Sequence, residues 1–400
     1  MIRLRRGWPE LTTTQLRLLT ALACAATGLL LPMLWNHTGI DLKVYRLGGS
    51  AMLDDPSSLY SARLRGTSMP FTYPPFGGIV MIPVSELSWP VAYGASIAVS
   101  LAALAVIWRI GLSQLLAGQR LRPAVFLAAV AGSLLVEPAR ETLSYGQINL
   151  ILCAVIMYDV LDGKHSLRGI WIGLAAGIKL TPLVFFGLLL VTRQWRALAH
   201  AAGAFVATVL IGFAVAPRTA AAYWTSTLTD TRRIGGLAYS GNQSWNGFLT
   251  RLSGDLAGGG RVWLLVVLVT VLGGLWLTQE LWLRGEQLAS LSVCALIGLL
   301  CSPVSWSHHW VWLIPLGIAL LSSTELGRRY PVPVAATWFG LTILAPIWWP
   351  PRGDERELSW NFGEILAGNA YLILSLAAAL LLTLGSRSSQ PAQPVERIPT

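Results

Sequence analysis

Apolar runs recur along the whole chain and are separated by short polar or charged segments. A run of about 20 residues is long enough to cross the hydrocarbon core of a bilayer as an α-helix. The pattern therefore predicts an all-α polytopic membrane protein with about 12 transmembrane helices, several of them short. The predicted helices are Leu16–Trp35, Trp89–Leu112, Pro123–Val136, Gln147–Leu161, a bent pair at Gly169–Ile178 and Pro182–Thr192, Ala197–Ala216, Arg261–Leu283, Gln287–Cys301, Trp310–Ser323, Val332–Trp349 and Gly363–Leu384.

Two long polar segments interrupt this pattern, at residues 36–88 and 217–260. In the first, charged residues lie among Leu, Tyr and Phe, which favours short amphipathic helices on the membrane surface. Its last part, Phe76–Leu87, is apolar but too short to span, and a proline interrupts it. We predict one membrane domain over residues 1–385 and a disordered cytoplasmic tail at 386–400, which is rich in Ser, Pro and Gln.

Composition and charge agree with a membrane protein. The chain of 400 residues is 54% hydrophobic and 12% charged, whereas a soluble domain averages about 25% charged residues. The net charge of +10 comes from basic residues scattered through short loops, which indicates membrane topology rather than nucleic-acid binding. The basic start and the apolar run after it predict a retained anchor, cytoplasmic termini, and extracytoplasmic loops at residues 36–88 and 217–260.

The residues with possible chemistry then fall on the extracytoplasmic side. Asp41 follows the first span, Lys179 interrupts an apolar run, and His308 and His309 follow a Ser-Pro break between two helices. Each also has a structural interpretation: Asp41 as a helix N-cap, Lys179 as a snorkelling or buried, paired lysine, and the histidines as interfacial residues. Ionisable residues at membrane depth are costly, which favours a function for the lysine. The sequence lacks metal-ligand spacings, so we expect no metal.

Six motifs carry a resemblance to a known family. In chain order they are Asp41 within Asp-Leu-Lys-Val-Tyr, Phe71-Thr72-Tyr73-Pro74-Pro75-Phe76, Gly146-Gln147-Ile148-Asn149, Lys179-Leu180-Thr181-Pro182, Asn242-Gln243-Ser244 and Ser302-Pro303-Val304-Ser305-Trp306-Ser307-His308-His309. The set spans nearly the whole chain and resembles the actinobacterial polyprenol-phosphate-mannose-dependent α-1,2-mannosyltransferases, the GT87 branch of the GT-C superfamily. Within that family the chain looks most like the enzymes that extend phosphatidylinositol mannosides.

The resemblance implies a GT-C glycosyltransferase fold with the first long loop over the active-site pocket. It implies a polyprenyl-phosphate mannose donor with its tail in the bilayer, and a phosphatidylinositol mannoside acceptor at the outer face of the bacterial cytoplasmic membrane. The family's catalytic aspartate corresponds to Asp41, its histidine to His308 with His309 second, and its lysine to Lys179. We expect no cofactor and a monomer that contacts membrane lipid.

A β-linked donor and an α-1,2 product require inversion at the anomeric carbon, and inversion needs a base on the acceptor side. We predict that Asp41 is this base and that Lys179 stabilises the leaving phosphate. His308 would bind the donor phosphate or orient the acceptor hydroxyl. The further candidates are Arg46, Arg63, Arg65 and His309 for the donor phosphate, and Tyr73, Gln147, Asn149, Asn242, Gln243 and Trp306 for the sugars.

Other functions remain open at this stage. The same fold could act on lipomannan or lipoarabinomannan, or could use a polyprenyl-phosphate arabinose donor. A lipid or sugar transporter would predict inverted repeats and ionisable residues near the bilayer midplane. The sequence has no clear repeat, and its candidate residues cluster at one face, which also argues against a non-catalytic scaffold.

Overall fold

The computed structural model describes residues 39–67, 69–116, 122–162, 166–230, 233–255 and 260–385. The predicted first span, Leu16–Trp35, and the predicted tail at 386–400 lie outside these residues. Within them the regular elements are helices, and the strand-like pairings consist of two isolated bridges, Arg63 with Pro70 and Asn242 with Trp306. The predicted all-α class is therefore confirmed.

The helices follow the apolar runs, with short connections between them. The first nine are α1 (Ile40–Asp54), α2 (Pro75–Glu86), α3 (Trp89–Leu116), α4 (Pro123–Gly132), α5 (Glu137–Tyr145), α6 (Asn149–Met157), α7 (Ile170–Ile178), α8 (Val184–Val191) and α9 (Trp195–Val215). They are followed by α10 (Pro217–Thr225), α11 (Trp245–Ser253), α12 (Gly260–Leu283), α13 (Gln287–Cys301), α14 (Leu313–Ser323), α15 (Glu325–Arg329), α16 (Pro331–Leu344), α17 (Phe362–Gly368) and α18 (Ala370–Leu384). Shorter 3₁₀ turns include Thr181–Leu183, Ser307–Trp312 and Pro346–Trp348, and a π-helical turn covers Tyr158–Asp162.

Several of these helices have the length and composition of membrane spans. In the part of the chain that the structure describes, four segments meet both criteria: Trp89–Leu116, Trp195–Val215, Gly260–Leu283 and Pro331–Trp348. Two helix pairs, bent by 74° and 73°, raise the number to six if each pair is one broken span. The interpretation as a helical membrane protein is supported, whereas the twelve predicted spans and the sidedness of the loops stay predictions.

The bend between α4 and α5 corrects one sequence-based expectation. The predicted span Pro123–Val136 ends as an α-helix at Gly132, and after a 3₁₀ turn the chain bends by 74° into α5. Residues 137–145, which lie between two predicted spans, form this helix. Pro138 lies in its first turn, where a missing amide hydrogen costs no helical hydrogen bond.

The first predicted loop contains two helices, α1 and α2, that pack closely against each other. Glycines on α1 allow this approach, because a Cβ added at Gly49 would lie 2.5 Å from the Met81 carbonyl oxygen of α2. A Cβ at Gly48 would likewise meet the Phe71 ring at 2.3 Å. The start of α2 in turn contacts the end of α7, since a Cβ at Gly77 would lie 2.8 Å from the Ile178 carbonyl oxygen. Together these contacts hold α1 against the break after α7.

Two breaks between apolar helices lie against this pair. One is at Lys179, where α7 ends and the chain has an extended conformation before the Thr181–Leu183 turn. The other is residues 302–312, between α13 and α14. The 3₁₀ turn Ser307–Trp312 packs on α5 and α6. Helix α5, which the sequence analysis did not predict, therefore supports the second break.

Candidate active site

Asp41 lies in the first turn of α1, close to a histidine 267 positions later in the chain. The Asp41 Oδ2 and His308 Nε2 atoms are 4.0 Å apart, and the side chains are 21% and 10% exposed, respectively. The interpretation of Asp41 as a helix N-cap is wrong, because Gly39 is the N-cap of α1 and no side chain caps this end. A gap of 4.0 Å is too long for a direct hydrogen bond but is spanned by one oxygen about 2.8 Å from each atom.

The main chain of His308 is fixed by two side chains. Its carbonyl oxygen accepts hydrogen bonds from Thr142 Oγ1 at 2.9 Å and from Asn149 Nδ2 at 2.8 Å. The Tyr145 ring meets the imidazole edge to face, with centroids 5.2 Å apart. Helices α5 and α6 therefore orient the imidazole, while its Nε2 atom has no hydrogen-bond partner among the residues that the structure describes.

Lys179 is buried, with 6% of its surface exposed, so the interpretation as a snorkelling side chain is wrong. Its Nζ atom donates to Asn149 Oδ1 at 2.8 Å and lies 5.5 Å from the centre of the Tyr73 ring. Asn149 thus bridges the amine of Lys179 and the carbonyl of His308 through the two ends of one amide. A buried ammonium with a neutral partner keeps donor capacity for an anion.

A chain of hydroxyl and amide groups lies beside Asp41. Tyr45 Oη donates to Gln147 Oε1 at 2.5 Å, and Gln147 Nε2 donates to Tyr73 Oη at 3.3 Å. Burial raises the pKa of the Asp41 carboxyl to about 6, although a hydrogen bond from Gln147 and the charge of Lys179 oppose that shift. Of the predicted sugar ligands, the structure brings Tyr73, Gln147 and Asn149 to this cluster.

His309 also lies near Lys179. The two residues line a small cavity of about 40 Å³, together with Asn149 and Pro182. The Lys179 amine and the His309 imidazole interact electrostatically. The imidazoles of His308 and His309 also interact, with ring centroids 4.7 Å apart. Both histidines therefore neighbour the lysine, but His308 faces Asp41 whereas His309 faces this cavity.

The three predicted arginines have other contacts. Arg46 donates to the carbonyl oxygens of Leu87 at 2.6 Å and Ser85 at 3.1 Å, at the far end of α2. Arg63 is exposed and donates to carbonyl oxygens of residues 60–62, and Arg65 is also exposed. The structure does not bring these side chains to Lys179, because local carbonyl groups or solvent satisfy them.

The motif at 242–244 and Trp306 lie in a neighbouring region. Gln243 is fully buried; it donates from Nε2 to the carbonyl oxygens of Ser240 at 2.8 Å and Gly368 at 2.7 Å. Asn242 is also fully buried and accepts from the Ser305 amide at 3.0 Å. Their amides bond to the backbone, and the structure does not bring them to the cluster of Asp41, His308 and Lys179. Trp306 is half-buried.

Sequence reasoning missed three polar residues of α5 and α1. Glu137 is fully buried and accepts from Tyr371 Oη at 2.7 Å and from Trp348 Nε1 at 2.9 Å. Glu141 and Tyr45 are also buried. The Glu-Pro pair at 137–138 was the available signal, because it marks a helix start. Over the described ranges no group of three His, Cys, Asp or Glu side chains could hold a metal ion, and the expectation of a metal-free enzyme is untested.

Comparison with known proteins identifies the family. The sequence model of glycosyltransferase family 87 matches residues 71–303. A polyprenol-phosphate-mannose-dependent alpha-(1-2)-phosphatidylinositol pentamannoside mannosyltransferase from Mycolicibacterium smegmatis is 35% identical over 356 residues, covering 84% of this chain and 83% of the relative. The protein of the same name from Mycobacterium tuberculosis is 36% identical over 350 residues, covering 84% and 79%.

A further relative from Mycolicibacterium smegmatis is named polyprenol-phosphate-mannose-dependent alpha-(1-2)-phosphatidylinositol mannoside mannosyltransferase. It is 32% identical over 376 residues, covering 87% of this chain and 84% of the relative. No solved structure matches the chain. The resemblance drawn from the six motifs is therefore confirmed, and this chain belongs to glycosyltransferase family 87.

Proposed function

We propose that this enzyme transfers mannose from polyprenyl-phosphate mannose to the 2-hydroxyl group of a mannose on a phosphatidylinositol mannoside, forming an α-1,2 linkage. The names of the relatives support this donor and acceptor class. The observation that carries the proposal is the cluster of Asp41, His308 and Lys179, in which a carboxylate, an imidazole and a buried amine from three distant parts of the chain meet.

In the proposed reaction the acceptor hydroxyl oxygen occupies the gap between Asp41 Oδ2 and His308 Nε2. Asp41 takes the hydroxyl proton while the oxygen attacks the anomeric carbon of the donor from the face opposite the phosphate. The bond from that carbon to the phosphate oxygen breaks, and its electron pair leaves with polyprenyl phosphate. The configuration at the anomeric carbon inverts. A carboxyl with a pKa of about 6 is mostly ionised at pH 7 and is a stronger base than an ordinary aspartate.

Lys179 stabilises the leaving phosphate in this proposal. Negative charge grows on the phosphate oxygens as the bond breaks, and a fixed cation in a water-poor site lowers the energy of that charge. Asn149 holds the amine in place and leaves the remaining N–H bonds of the ammonium for the donor. His309 borders the same cavity and is a second candidate for contact with the phosphate.

We propose that the site lies at the outer face of the cytoplasmic membrane and that both termini are cytoplasmic. This sidedness rests on the distribution of basic residues in the loops. Single cysteines introduced at exposed positions Arg65 and Arg193 give a direct test, since their loops are predicted on opposite sides. An impermeant thiol reagent should label position 65 and not position 193 in intact cells; the reverse result would reject the topology.

The purified enzyme, labelled polyprenyl-phosphate mannose and a phosphatidylinositol mannoside test the activity. Parent enzyme should form a longer glycolipid, and Asp41→Asn should fold normally but lose about 10²–10⁴-fold in rate. Normal turnover by Asp41→Asn would remove Asp41 as the base. Product formed only with polyprenyl-phosphate arabinose would replace the donor, and the absence of any new glycolipid with either donor would contradict a transferase of this class.

A further inference from the structure

A line of aromatic side chains leads from His308 to the surface of the protein. We call Tyr145, Tyr239, Trp306 and Trp348 the aromatic wall. Tyr145 contacts the His308 ring, and its hydroxyl interacts electrostatically with that of Tyr239. Tyr239 in turn lies 6.0 Å from the ring centres of both Trp306 and Trp348. The wall is therefore continuous with the gap beside Asp41.

The rings of the wall are partly accessible, although Trp348 also packs against the hydrophobic core. Tyr239 is 41% exposed, and the other three side chains are half-buried. The two tryptophans are nevertheless held in place. Trp348 Nε1 donates to the buried Glu137 at 2.9 Å. The Trp306 ring packs against Gly235 so closely that a Cβ added at this glycine would lie 2.8 Å from the ring. Aromatic rings that are held rigidly and left accessible are the usual composition of a binding surface.

Charged groups lie beside the wall. The Tyr145 hydroxyl donates a hydrogen bond to the buried carboxylate of Glu141, which lies 3.4 Å from Arg140 Nε. At the other end, the Arg352 guanidinium lies 5.3 Å from the centre of the Trp348 ring. A polyprenyl tail would gain nothing from these groups. A pyranose, by contrast, has an apolar face of C–H bonds that stacks on a ring and hydroxyls that bond to carboxylates and guanidinium groups.

We propose that the aromatic wall is a subsite for the mannose residues of the acceptor that do not react. The inference rests on the proposed function, since it assigns the glycan of the acceptor to one surface. The terminal mannose enters the gap between Asp41 and His308, and the mannoses behind it lie along Tyr145, Tyr239 and Trp306. The wall then lowers the acceptor KM for longer glycans without taking part in bond breaking.

Acceptor length tests this subsite. Synthetic lipid-linked mono- and trimannosides are compared as acceptors for the parent enzyme and for Tyr239→Ala. The parent should show a lower KM for the trimannoside. Tyr239→Ala should raise that KM about 3- to 10-fold, as expected for one lost ring contact, with kcat unchanged and the monomannoside KM changed by less than about 2-fold. Tyr239→Phe, which keeps the ring, should retain most of the length preference.

Trp349→Ala is the matched control, because Trp349 is 62% exposed, neighbours Trp348 in sequence and lies outside the wall. It should leave both KM values unchanged. Equal KM increases for both acceptors in Tyr239→Ala, or no increase for the trimannoside, would overturn the subsite while leaving the proposed transfer intact.

Equilibrium binding of free mannotriose gives a readout independent of transfer: the parent should bind it more tightly than Tyr239→Ala does, and equal binding would also overturn the proposal.

Discussion

Activity should decline in acid with a midpoint set by Asp41. The pKa of this carboxyl is about 6, because burial disfavours its charged form. A base works only when ionised, so kcat/KM should be at its plateau above the pKa and fall about tenfold for each pH unit below it. At pH 5 about a tenth of the plateau value should remain, whereas an aspartate with an ordinary pKa of about 3.9 would retain more than about nine-tenths.

The groups around Asp41 allow that midpoint to be moved. Gln147 donates a hydrogen bond to the carboxylate and thereby lowers its pKa. Gln147→Leu removes this hydrogen bond, so the pKa should rise and the acid limb of the pH profile should shift to higher pH. The direction of the shift is the informative quantity, because a packing defect alone lowers the plateau without moving the limb.

The assay is initial-rate mannosyl transfer at limiting acceptor between pH 4.5 and pH 8, in about half-unit steps. Enzyme held at each pH and returned to pH 7 controls for irreversible unfolding. Asp41→Asn should have a low rate that does not vary with pH over this range. Three results would each refute the assignment of Asp41 as the base. They are a parent pH profile with its midpoint near pH 4, an acid decline in rate that persists in Asp41→Asn, and a midpoint that moves to lower pH in Gln147→Leu.

Three further predictions concern the lysine, its partner and the helix contact. Lys179→Ala should raise the donor KM, or lower kcat, by about 10²-fold or more, and Lys179→Arg should have a smaller effect. Initial rates at varied donor concentration measure this, and an effect confined to the acceptor KM would contradict the prediction. Asn149→Leu should lower kcat/KM by about 10²-fold, because it displaces both the Lys179 amine and the His308 imidazole. Its circular dichroism spectrum should still be that of the folded helical protein. A rate near that of the parent would show that the Asn149 bridge is not needed for catalysis. Gly49→Ala should lower the free energy of unfolding by about 1–3 kcal/mol, because its Cβ would meet the Met81 carbonyl, whereas Gly94→Ala, with no atom within 4 Å, should be neutral or stabilising in the same thermal unfolding measurement.

Much of the helical framework could be predicted because apolar runs with sharp polar ends define helices. The predicted helix Gln287–Cys301 has the same bounds in the structure, since Glu286 precedes it and a Ser-Pro pair ends it. The break at Lys179 was also predicted, because a lysine before Leu-Thr-Pro interrupts an apolar run. Both helix breaks contribute residues to the candidate site, and both could be predicted because a polar or proline-containing segment that interrupts an apolar run is easy to recognise in a sequence.

The polar part of the site was less predictable. Helix α5 is polar on average, and its buried Glu137 and Glu141 contradict the usual rule that charged residues face solvent. Its stability comes from tertiary hydrogen bonds, which no local pattern records. The positions of the Asn242 and Gln243 amides, which bond to the backbone, were unpredictable for a related reason. A sequence shows that an amide is present but not whether it faces a substrate or the backbone.

The aromatic wall and the reacting cluster share one segment of the chain and otherwise come from different ones. Asp41 lies on α1, Lys179 on the break after α7 and His308 on the break after α13, where Trp306 of the wall also lies. Tyr239 and Trp348 of the wall lie on the connections after α10 and α16, which carry no residue of the cluster. Connections tolerate substitution better than packed helices do. Substitutions in the two connections that carry Tyr239 and Trp348 could therefore change the glycan that such an enzyme accepts while the reacting residues stay the same, and the acceptor preference of a family member should be sought there first.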